Sequence, residues 1–360
     1  MKMSAQHKSI WIGLGVGALF LTLFFTRVNV GHLDLAPNFS NSEKALNPKP
    51  GPTIISTPFA RLTIPYLRTI PIDSQLADLE LFENKGSYQS YLTSYMSEEY
   101  RINGLLTIPT SEMPEGGWPA VVLIHGYIPP AQYQTTGRYQ DYVDYIARNG
   151  FVVFKIDLRG HGDSEGEASG AYYSGDYIID TLHAINALEK SPSVNSARIG
   201  LWGHSMAGNV LLRTMAVKPD IKAVVIWAGA VFSYQDWQEY GLSDHSFRLT
   251  DLERSDRQSE RQELFDTHGQ FSPNNEFWRT VPATNYLQDM TGSIQLHHAE
   301  DDAVVNIAYS QDLAELLEQA GTSYEFYDYS SGGHNLTGSA FSTAMQRTVE
   351  FYHRNLISSE

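Results

Sequence analysis

Short apolar segments alternate with longer amphipathic segments from about residue 120 to the end of the chain. Apolar runs without polar interruption are typical of strands that are buried on both faces of a parallel sheet. The pattern predicts strands at 120–124, 151–156, 198–202, 221–227, 293–297 and 324–329, and helices at 139–149, 176–190, 209–216, 307–320 and 341–356. Repeated strand–helix units predict an α/β fold, with a mostly parallel sheet and helices on both faces.

The pattern changes before residue 120 and again in one long interval. Residues 88–97 and 100–108 are predicted as two strands joined by a polar turn, whereas 61–86 is too weakly patterned to assign. Residues 233–287 contain no comparable strand, and an insertion of this length is predicted as a helical cap. Its aromatic residues either line a binding pocket or form a small core of the cap; they are Trp237, Tyr240, Phe247, Phe265, Phe271, Phe277 and Trp278.

The N-terminal residues 1–30 contain an uncharged apolar run at 9–26. A helix of this length spans about 27 Å, close to the hydrocarbon thickness of a bilayer. We predict a single membrane helix here, a Pro-rich tether at 31–60 and a folded domain at 61–360. More basic residues precede the run than follow it, which places the domain on the extracytoplasmic side. A cleaved signal that releases a secreted domain is the alternative, although no convincing cleavage site follows the run.

The composition disfavours several classes of partner and chemistry. The formal net charge of −16 disfavours a nucleic-acid partner. The chain has no cysteine, which excludes disulfides, thiol nucleophiles and cysteine metal sites. His297, His298 and the acidic residues at 300–302 match no zinc-binding spacing, so we expect no metal and no other cofactor. The sequence does not specify an oligomeric state.

A serine lies between a predicted strand and a predicted helix, in the run Gly-His-Ser-Met-Ala-Gly at 203–208. This layout is typical of a nucleophile elbow, whose sharp turn needs small residues two positions before and after the serine. Gly203 and Ala207 are both small, although the second of these positions is usually glycine. We predict Ser205 as a nucleophile, and the N-terminus of the following helix favours negative charge beside it.

Two acidic residues and a histidine follow later strands, in the chain order that this layout requires. His334 follows the last predicted strand, and Asp301 and Asp302 follow the strand before it. Carboxyl ends of parallel strands share one edge of the sheet, so these residues are expected near Ser205. We predict His334 as the base that takes the serine proton. Asp302 is the predicted acid that orients this base, with Asp301 as the reserve.

An oxyanion needs N–H or O–H donors that are fixed in advance. The backbone N–H of Met206 is one predicted donor. Tyr127, in the loop after the 120–124 strand, is predicted to supply the second through its N–H or its hydroxyl. We interpret His125 as a structural histidine at a strand end. His204 is interpreted as a residue that packs against the site or lines it, rather than as a base.

Five motifs resemble those of the α/β-hydrolase superfamily; they lie at 125–127, 157–164, 203–208, 298–305 and 332–334. The chain is most similar to the catalytic domain of the prolyl oligopeptidase family and its dipeptidyl-peptidase and acylaminoacyl-peptidase relatives, from about residue 88 onwards. The acid motif of that family matches at His298, Asp302 and Val305, which supports Asp302 as the acid. The family also implies an oxyanion role for the side chain of Tyr127.

The resemblance implies a serine hydrolase that cleaves an acyl bond through an acyl-enzyme, with a short peptide as substrate. The segment before residue 88 is too short for the β-propeller of the larger peptidases, so a stand-alone domain is expected. A carboxylesterase acting on small acyl esters is the alternative, because small esterases share these motifs. A non-catalytic, membrane-anchored binding protein on a hydrolase scaffold is an alternative of another class. Such proteins usually lose a triad residue, and all three are present here.

Overall fold

The computed structural model describes residues 59–168, 172–243 and 251–357. The predicted membrane helix, nearly all of the predicted tether and the aromatic residue Phe247 lie outside these ranges. Inside them, no helix is both long enough and apolar enough to cross a membrane.

Nine strands form one sheet in the described part of the chain. They are β1 (Glu80–Asn84), β2 (Tyr88–Ser97), β3 (Tyr100–Pro109), β4 (Trp118–Ile124), β5 (Val152–Ile156), β6 (Val194–His204), β7 (Ala223–Trp227), β8 (Ser293–Ala299) and β9 (Tyr324–Tyr329). Their order across the sheet is β1-β2-β3-β5-β4-β6-β7-β8-β9. The six strands from β5 across to β9 pair in parallel, and β1, β2 and β3 add antiparallel pairs at one edge. The predicted mostly parallel sheet is therefore confirmed.

Helices cover both faces of the sheet. They are α1 (Ile64–Leu67), α2 (Gln140–Arg148), α3 (Asp176–Glu189), α4 (Ala207–Val217), α5 (Tyr234–Tyr240), α6 (Asp251–His268), α7 (Glu276–Arg279), α8 (Ala308–Ala320) and α9 (Ser339–Tyr352). There are also 3-10 helices at Ala60–Leu62, Pro130–Gln132 and Ala283–Asp289, and a short π-helix at His353–Ile357. Alternate residues of a strand point to opposite faces. Val122 accordingly joins the core that contains Ile178 of α3, whereas Val121 joins the core that contains Val143 of α2 and Met345 of α9.

The strands and helices that the hydrophobic pattern predicts are present, with small shifts at their ends. β1 was not predicted, because all five of its side chains are exposed and no burial pattern marks it. Backbone pairing with β2 holds this strand in the sheet. α1 was also missed, since its four residues make little more than one turn and show no helical periodicity.

The interval 233–287 is helical in its described parts, as predicted, and contains α5, α6, α7 and one 3-10 helix. Its aromatic residues pack mainly on one another. Phe277 and Trp278 are buried in a cluster with Leu264, and Trp237, Phe265 and Phe271 pack against that cluster. Tyr240 instead donates a hydrogen bond to Asp312 of α8, at 2.6 Å. All of the described aromatic residues except Tyr240 therefore contribute to the core of the insertion, and the cavity beside Ser205 is lined by other residues.

Three buried histidines predict how stability depends on pH. Burial lowers the pKa of His125, His204 and His297 to about 3, so all three are neutral in the folded protein. Between about pH 3 and pH 6.5 these three histidines bind more protons in the unfolded chain than in the folded chain. The free energy of unfolding should therefore fall on acidification, by about 2 kcal/mol per histidine at pH 5. Urea unfolding between about pH 7 and pH 5 measures this, and a constant or rising stability would contradict it.

Candidate active site

Ser205 lies at a sharp turn between β6 and α4, where β6 ends. Its φ of 59° is in the left-handed region that non-glycine residues rarely adopt. The Ser205 N–H donates to the carbonyl of Trp227 at 2.8 Å, and the Gly208 N–H donates to the carbonyl of Ser205 at 2.9 Å. A serine held in a strained conformation between a strand and a helix has the geometry of a nucleophile elbow.

Gly203 allows β6 and α4 to approach each other at this elbow. A Cβ atom at this position would lie 2.7 Å from the Cβ of Ala207 and 2.8 Å from the Cδ1 of Leu211. Gly203→Ala is therefore expected to lower the free energy of unfolding by about 1–3 kcal/mol, as overpacked cores do. Thermal unfolding measures the loss. Adding Ala207→Gly removes one of the two clashes and should restore part of the lost stability. A Gly203→Ala variant as stable as the wild type would contradict this account.

His334 connects Ser205 with Asp302 through its two ring nitrogens. Its Nε2 lies 2.9 Å from Ser205 Oγ, and its Nδ1 lies 2.8 Å from Asp302 Oδ2. A carboxylate only accepts hydrogen bonds, so Nδ1 carries the proton and Nε2 accepts the hydroxyl of Ser205. The three residues come from the segments that follow β6, β8 and β9, and the structure brings them together at one edge of the sheet.

The carboxylate of Asp302 is held on several sides, and its side chain is fully buried. The backbone N–H groups of Val304 and Val305 donate to Oδ1, at 2.8 and 3.0 Å. Burial alone would raise the pKa of Asp302, but hydrogen bonds from His298, His334 and the Val305 backbone outweigh it and hold the pKa well below its usual value. Asp302 is therefore ionised at neutral pH and can stabilise a positive charge on His334.

The neighbouring Asp301 makes a different contact. Its Oδ1 accepts a hydrogen bond from the N–H of Gly333 at 2.7 Å, which stabilises the loop that carries His334. The carboxylate that meets the imidazole belongs to Asp302. Of the two aspartates considered from the sequence, the structure thus places the preferred one against the histidine.

His298 has a role that the sequence did not reveal. Its Nε2 donates to the carbonyl of Val305 at 3.0 Å and also lies 3.2 Å from Asp302 Oδ2. Its Nδ1 accepts from the hydroxyl of Ser310 in α8, at 2.8 Å. His298 therefore anchors the loop that carries Asp302. Its position at a strand end, four residues before Asp302, is the sequence signal that could have indicated this role.

A cavity of about 280 Å³ opens beside Ser205. Ser205, His334, Tyr127, Arg138, Tyr139 and Tyr142 are among its lining residues. The Met206 N–H lies one residue after the serine, at the N-terminus of α4, where backbone donors have no partner within the helix. Of the two predicted oxyanion donors, Tyr127 thus lines the cavity beside Ser205, and Met206 follows Ser205 directly in the chain.

The other histidines singled out in the sequence lie near this edge. His125 is buried, with its ring nitrogens 2.7 and 3.0 Å from the backbone carbonyls of Gly126 and Asp157. This placement agrees with a structural role. His297 stacks on Tyr327 and Tyr329. Within the described ranges, no group of three or more histidine, aspartate or glutamate residues is arranged to hold a metal ion.

Comparison with known proteins supports a serine hydrolase. A family model described as serine aminopeptidase, S33, matches residues 119–248, which include β4 to β7 and the elbow. The uncharacterized peptidase YtmA of Bacillus subtilis (strain 168) is 27% identical over 244 residues, which is 68% of this chain and 85% of YtmA.

Two solved structures show the same fold. Acetyl xylan esterase from Paenibacillus sp. R4 has a TM-score of 0.59 at 18% identity, over 80% of this chain and 91% of the esterase. The acylaminoacyl peptidase of Pyrococcus horikoshii has a TM-score of 0.58 at 18% identity, over 77% of this chain and 43% of the peptidase. The similarity therefore covers nearly all of the esterase but less than half of the peptidase.

The fold, the strained serine and the family match together define the class: the chain is a serine hydrolase with the α/β-hydrolase fold. Within that class, the family match and the peptidase relative support a prolyl oligopeptidase-like type, which its motifs resemble. Peptidases and esterases both occur among the proteins that it resembles.

Proposed function

We propose that Ser205, His334 and Asp302 act as a catalytic triad and cleave an acyl bond through a covalent acyl-enzyme. The supporting observation is the continuous hydrogen-bonded chain, with 2.9 Å from Ser205 Oγ to His334 Nε2 and 2.8 Å from His334 Nδ1 to Asp302 Oδ2. A serine hydroxyl becomes nucleophilic when an adjacent base removes its proton. Asp302 keeps the imidazole in the correct tautomer and stabilises the imidazolium that forms.

In the first half-reaction Ser205 Oγ attacks the substrate carbonyl carbon while its proton passes to His334 Nε2. Negative charge develops on the carbonyl oxygen, and we assign the Met206 N–H and Tyr127 as its donors. His334 then gives the proton to the leaving group, which departs and leaves the acyl group on Ser205. In the second half-reaction His334 activates a water molecule, which hydrolyses the acyl-enzyme and restores the free serine.

We infer that a short peptide is the substrate. The match to the serine aminopeptidase model and the similarity to YtmA, which is described as a peptidase, support this class. The cavity of about 280 Å³ is slightly smaller than a typical ligand pocket, which favours a small group next to the bond that is cleaved.

A carboxylesterase that acts on small acyl esters is the second candidate. The same small cavity favours it, because a short acyl group would occupy much of this volume. The similarity in fold to acetyl xylan esterase, over 91% of that enzyme, is compatible with this activity. Both reactions use the same triad, and they differ in how strongly the leaving group must be protonated.

A substrate series tests the proposal and separates the two candidates. The variant without residues 1–30 is assayed with para-nitrophenyl esters of increasing acyl length and with aminoacyl and dipeptidyl para-nitroanilides. The same protein with Ser205→Ala is the control. Higher kcat/KM on the anilides supports a peptidase, and turnover of short esters alone supports an esterase. No turnover of either series, together with no labelling of Ser205 by a fluorophosphonate, would overturn the triad and favour a non-catalytic binding protein.

We further propose that residues 9–26 anchor the protein in a membrane, with the hydrolase domain on the extracytoplasmic side. The uncharged run and the basic residues before it support this arrangement. The full chain should appear in the membrane fraction, and a variant without residues 1–30 in the soluble fraction. Recovery of the full-length chain in the soluble fraction would overturn the anchor, and a shortened soluble form would indicate a cleaved signal.

A further inference from the structure

We propose that His204 and Tyr139 form a positioning pair, which holds the backbone of His334 and the loop at Gly126 in place around Ser205. The inference rests on the proposed function of Ser205 and His334. In this scheme the pair exchanges no proton with the substrate. It acts through the two loops that it holds.

Three hydrogen bonds in series connect these loops. The N–H of Gly126 donates to the hydroxyl oxygen of Tyr139 at 2.9 Å. That hydroxyl lies 2.9 Å from His204 Nδ1, and His204 Nε2 lies 2.8 Å from the carbonyl oxygen of His334. The series therefore runs from the loop after β4, through the residue before the serine, to the backbone of the base.

Hydrogen-bonding rules give this series a single arrangement of protons. The His334 carbonyl only accepts, so His204 Nε2 carries a proton. Burial lowers the pKa of His204 to about 3, so the ring is neutral at pH 7 and Nδ1 carries no proton. Nδ1 accordingly accepts from Tyr139, whose oxygen accepts from Gly126. Both nitrogens of His204 are occupied, which leaves neither available as a second base.

The backbone on both sides of the series is strained. Tyr139 has a φ of 60°, Ser205 a φ of 59°, and Leu336, two residues after the base, a φ of 49°. Such conformations persist when surrounding contacts determine them. The hydrogen bonds of His204 supply long-range contacts of this kind, because they join residues 65 and 130 positions apart in the chain.

The position of His334 matters because both of its ring contacts are short, at 2.8 and 2.9 Å. A misplacement of about 1 Å in a catalytic group can lower turnover about 100-fold. Loss of the bond to the His334 carbonyl would free the backbone that carries the imidazole. The expected signature is a lower kcat with little change in KM, since substrate contacts are retained.

Two substitutions of His204 distinguish the contribution of its Nε2 contact with His334 from that of its Nδ1 contact with Tyr139. The amide of glutamine reaches the position of Nε2 and can still donate to His334, whereas the shorter amide of asparagine reaches only the position of Nδ1. We expect His204→Asn to lower kcat about 100-fold and His204→Gln to lower it less than about 5-fold, with KM nearly unchanged in both. Tyr139→Phe, which removes the central hydroxyl, should lower kcat about 10-fold. Tyr145→Phe is the matched control, because Tyr145 lies in α2, the helix that Tyr139 precedes, but outside the cavity lining.

All rates are measured well below the melting temperature of each variant, on the substrate that the wild type hydrolyses best. Equal losses of kcat in His204→Gln and His204→Asn, or losses that only follow the melting temperature, would overturn the positioning role. Fluorophosphonate labelling distinguishes a failure of the proposed function from a failure of the positioning role alone. An unlabelled wild type means that the proposed function has failed. A labelled wild type with unchanged kcat in His204→Asn and Tyr139→Phe means that only the positioning role has failed.

Discussion

Replacing Ser205 or His334 with alanine is expected to lower kcat by about six orders of magnitude, and replacing both should lower it little further. In the proposed mechanism the two residues act as one unit, because His334 Nε2 lies 2.9 Å from Ser205 Oγ and can take its proton directly. Without the base the hydroxyl keeps its proton, and without the serine the base has no nucleophile to activate. Some activity, about 1,000-fold above the uncatalysed rate, should remain from the oxyanion donors and from substrate binding.

Single-turnover kinetics on the best substrate measure these losses, and melting temperatures establish that each variant is folded. Ser196→Ala is the matched control, because Ser196 is an exposed serine on the same strand, β6, that leads into the elbow. Its kcat should equal that of the wild type. Losses that multiply in the double variant would show that Ser205 and His334 act independently, against the proposed mechanism.

Substitution of Asp302 by asparagine should lower kcat about three orders of magnitude more than the same substitution of the adjacent Asp301. Asp302→Asn places an amide against Nδ1 of His334, where a carboxylate accepts at 2.8 Å. The amide favours the wrong imidazole tautomer and cannot stabilise the imidazolium, so kcat should fall about 10,000-fold. Asp301→Asn keeps an oxygen that can accept from the Gly333 N–H at 2.7 Å, so kcat should fall less than about 10-fold.

Steady-state kinetics of the two variants over a range of pH provide the measurement, with each variant serving as the control of the other. The substitutions are chemically identical and lie one residue apart, so general effects on charge are matched. A large loss in Asp301→Asn with a small loss in Asp302→Asn would identify the reserve residue as the acid.

The hydrophobic pattern predicted the parallel strands well, for a physical reason. A central strand such as β4 is buried at all seven positions, so its sequence is a continuous apolar run. β1 has five exposed residues and depends on backbone pairing with β2, which leaves no pattern in the sequence. The local pattern of apolar residues therefore indicates burial, and it cannot indicate an edge strand whose residues are all exposed.

The choice between the two aspartates shows how far motifs extend this prediction. Chain order and strand ends placed both residues near the base, and the resemblance to the prolyl oligopeptidase family favoured Asp302. The structure supplies the physical difference, because the Val304 and Val305 N–H groups hold the Asp302 carboxylate while Asp301 bonds the Gly333 N–H. The two aspartates are neighbours in the chain, so the backbone conformation of this loop decides which carboxylate contacts His334.

The sequence alone determined the strands and helices of the parallel sheet, the serine at a strand-to-helix turn, and the order in which Asp302 and His334 follow later strands. Burial periodicity and turn chemistry are local, so a linear pattern can carry them. The tertiary structure decided that the aromatic residues of 233–287 pack on one another, and that Tyr139 and His204 link Gly126 to His334. Such contacts join residues up to 130 positions apart, and they depend on how the helices and loops pack around the sheet, which no local pattern specifies.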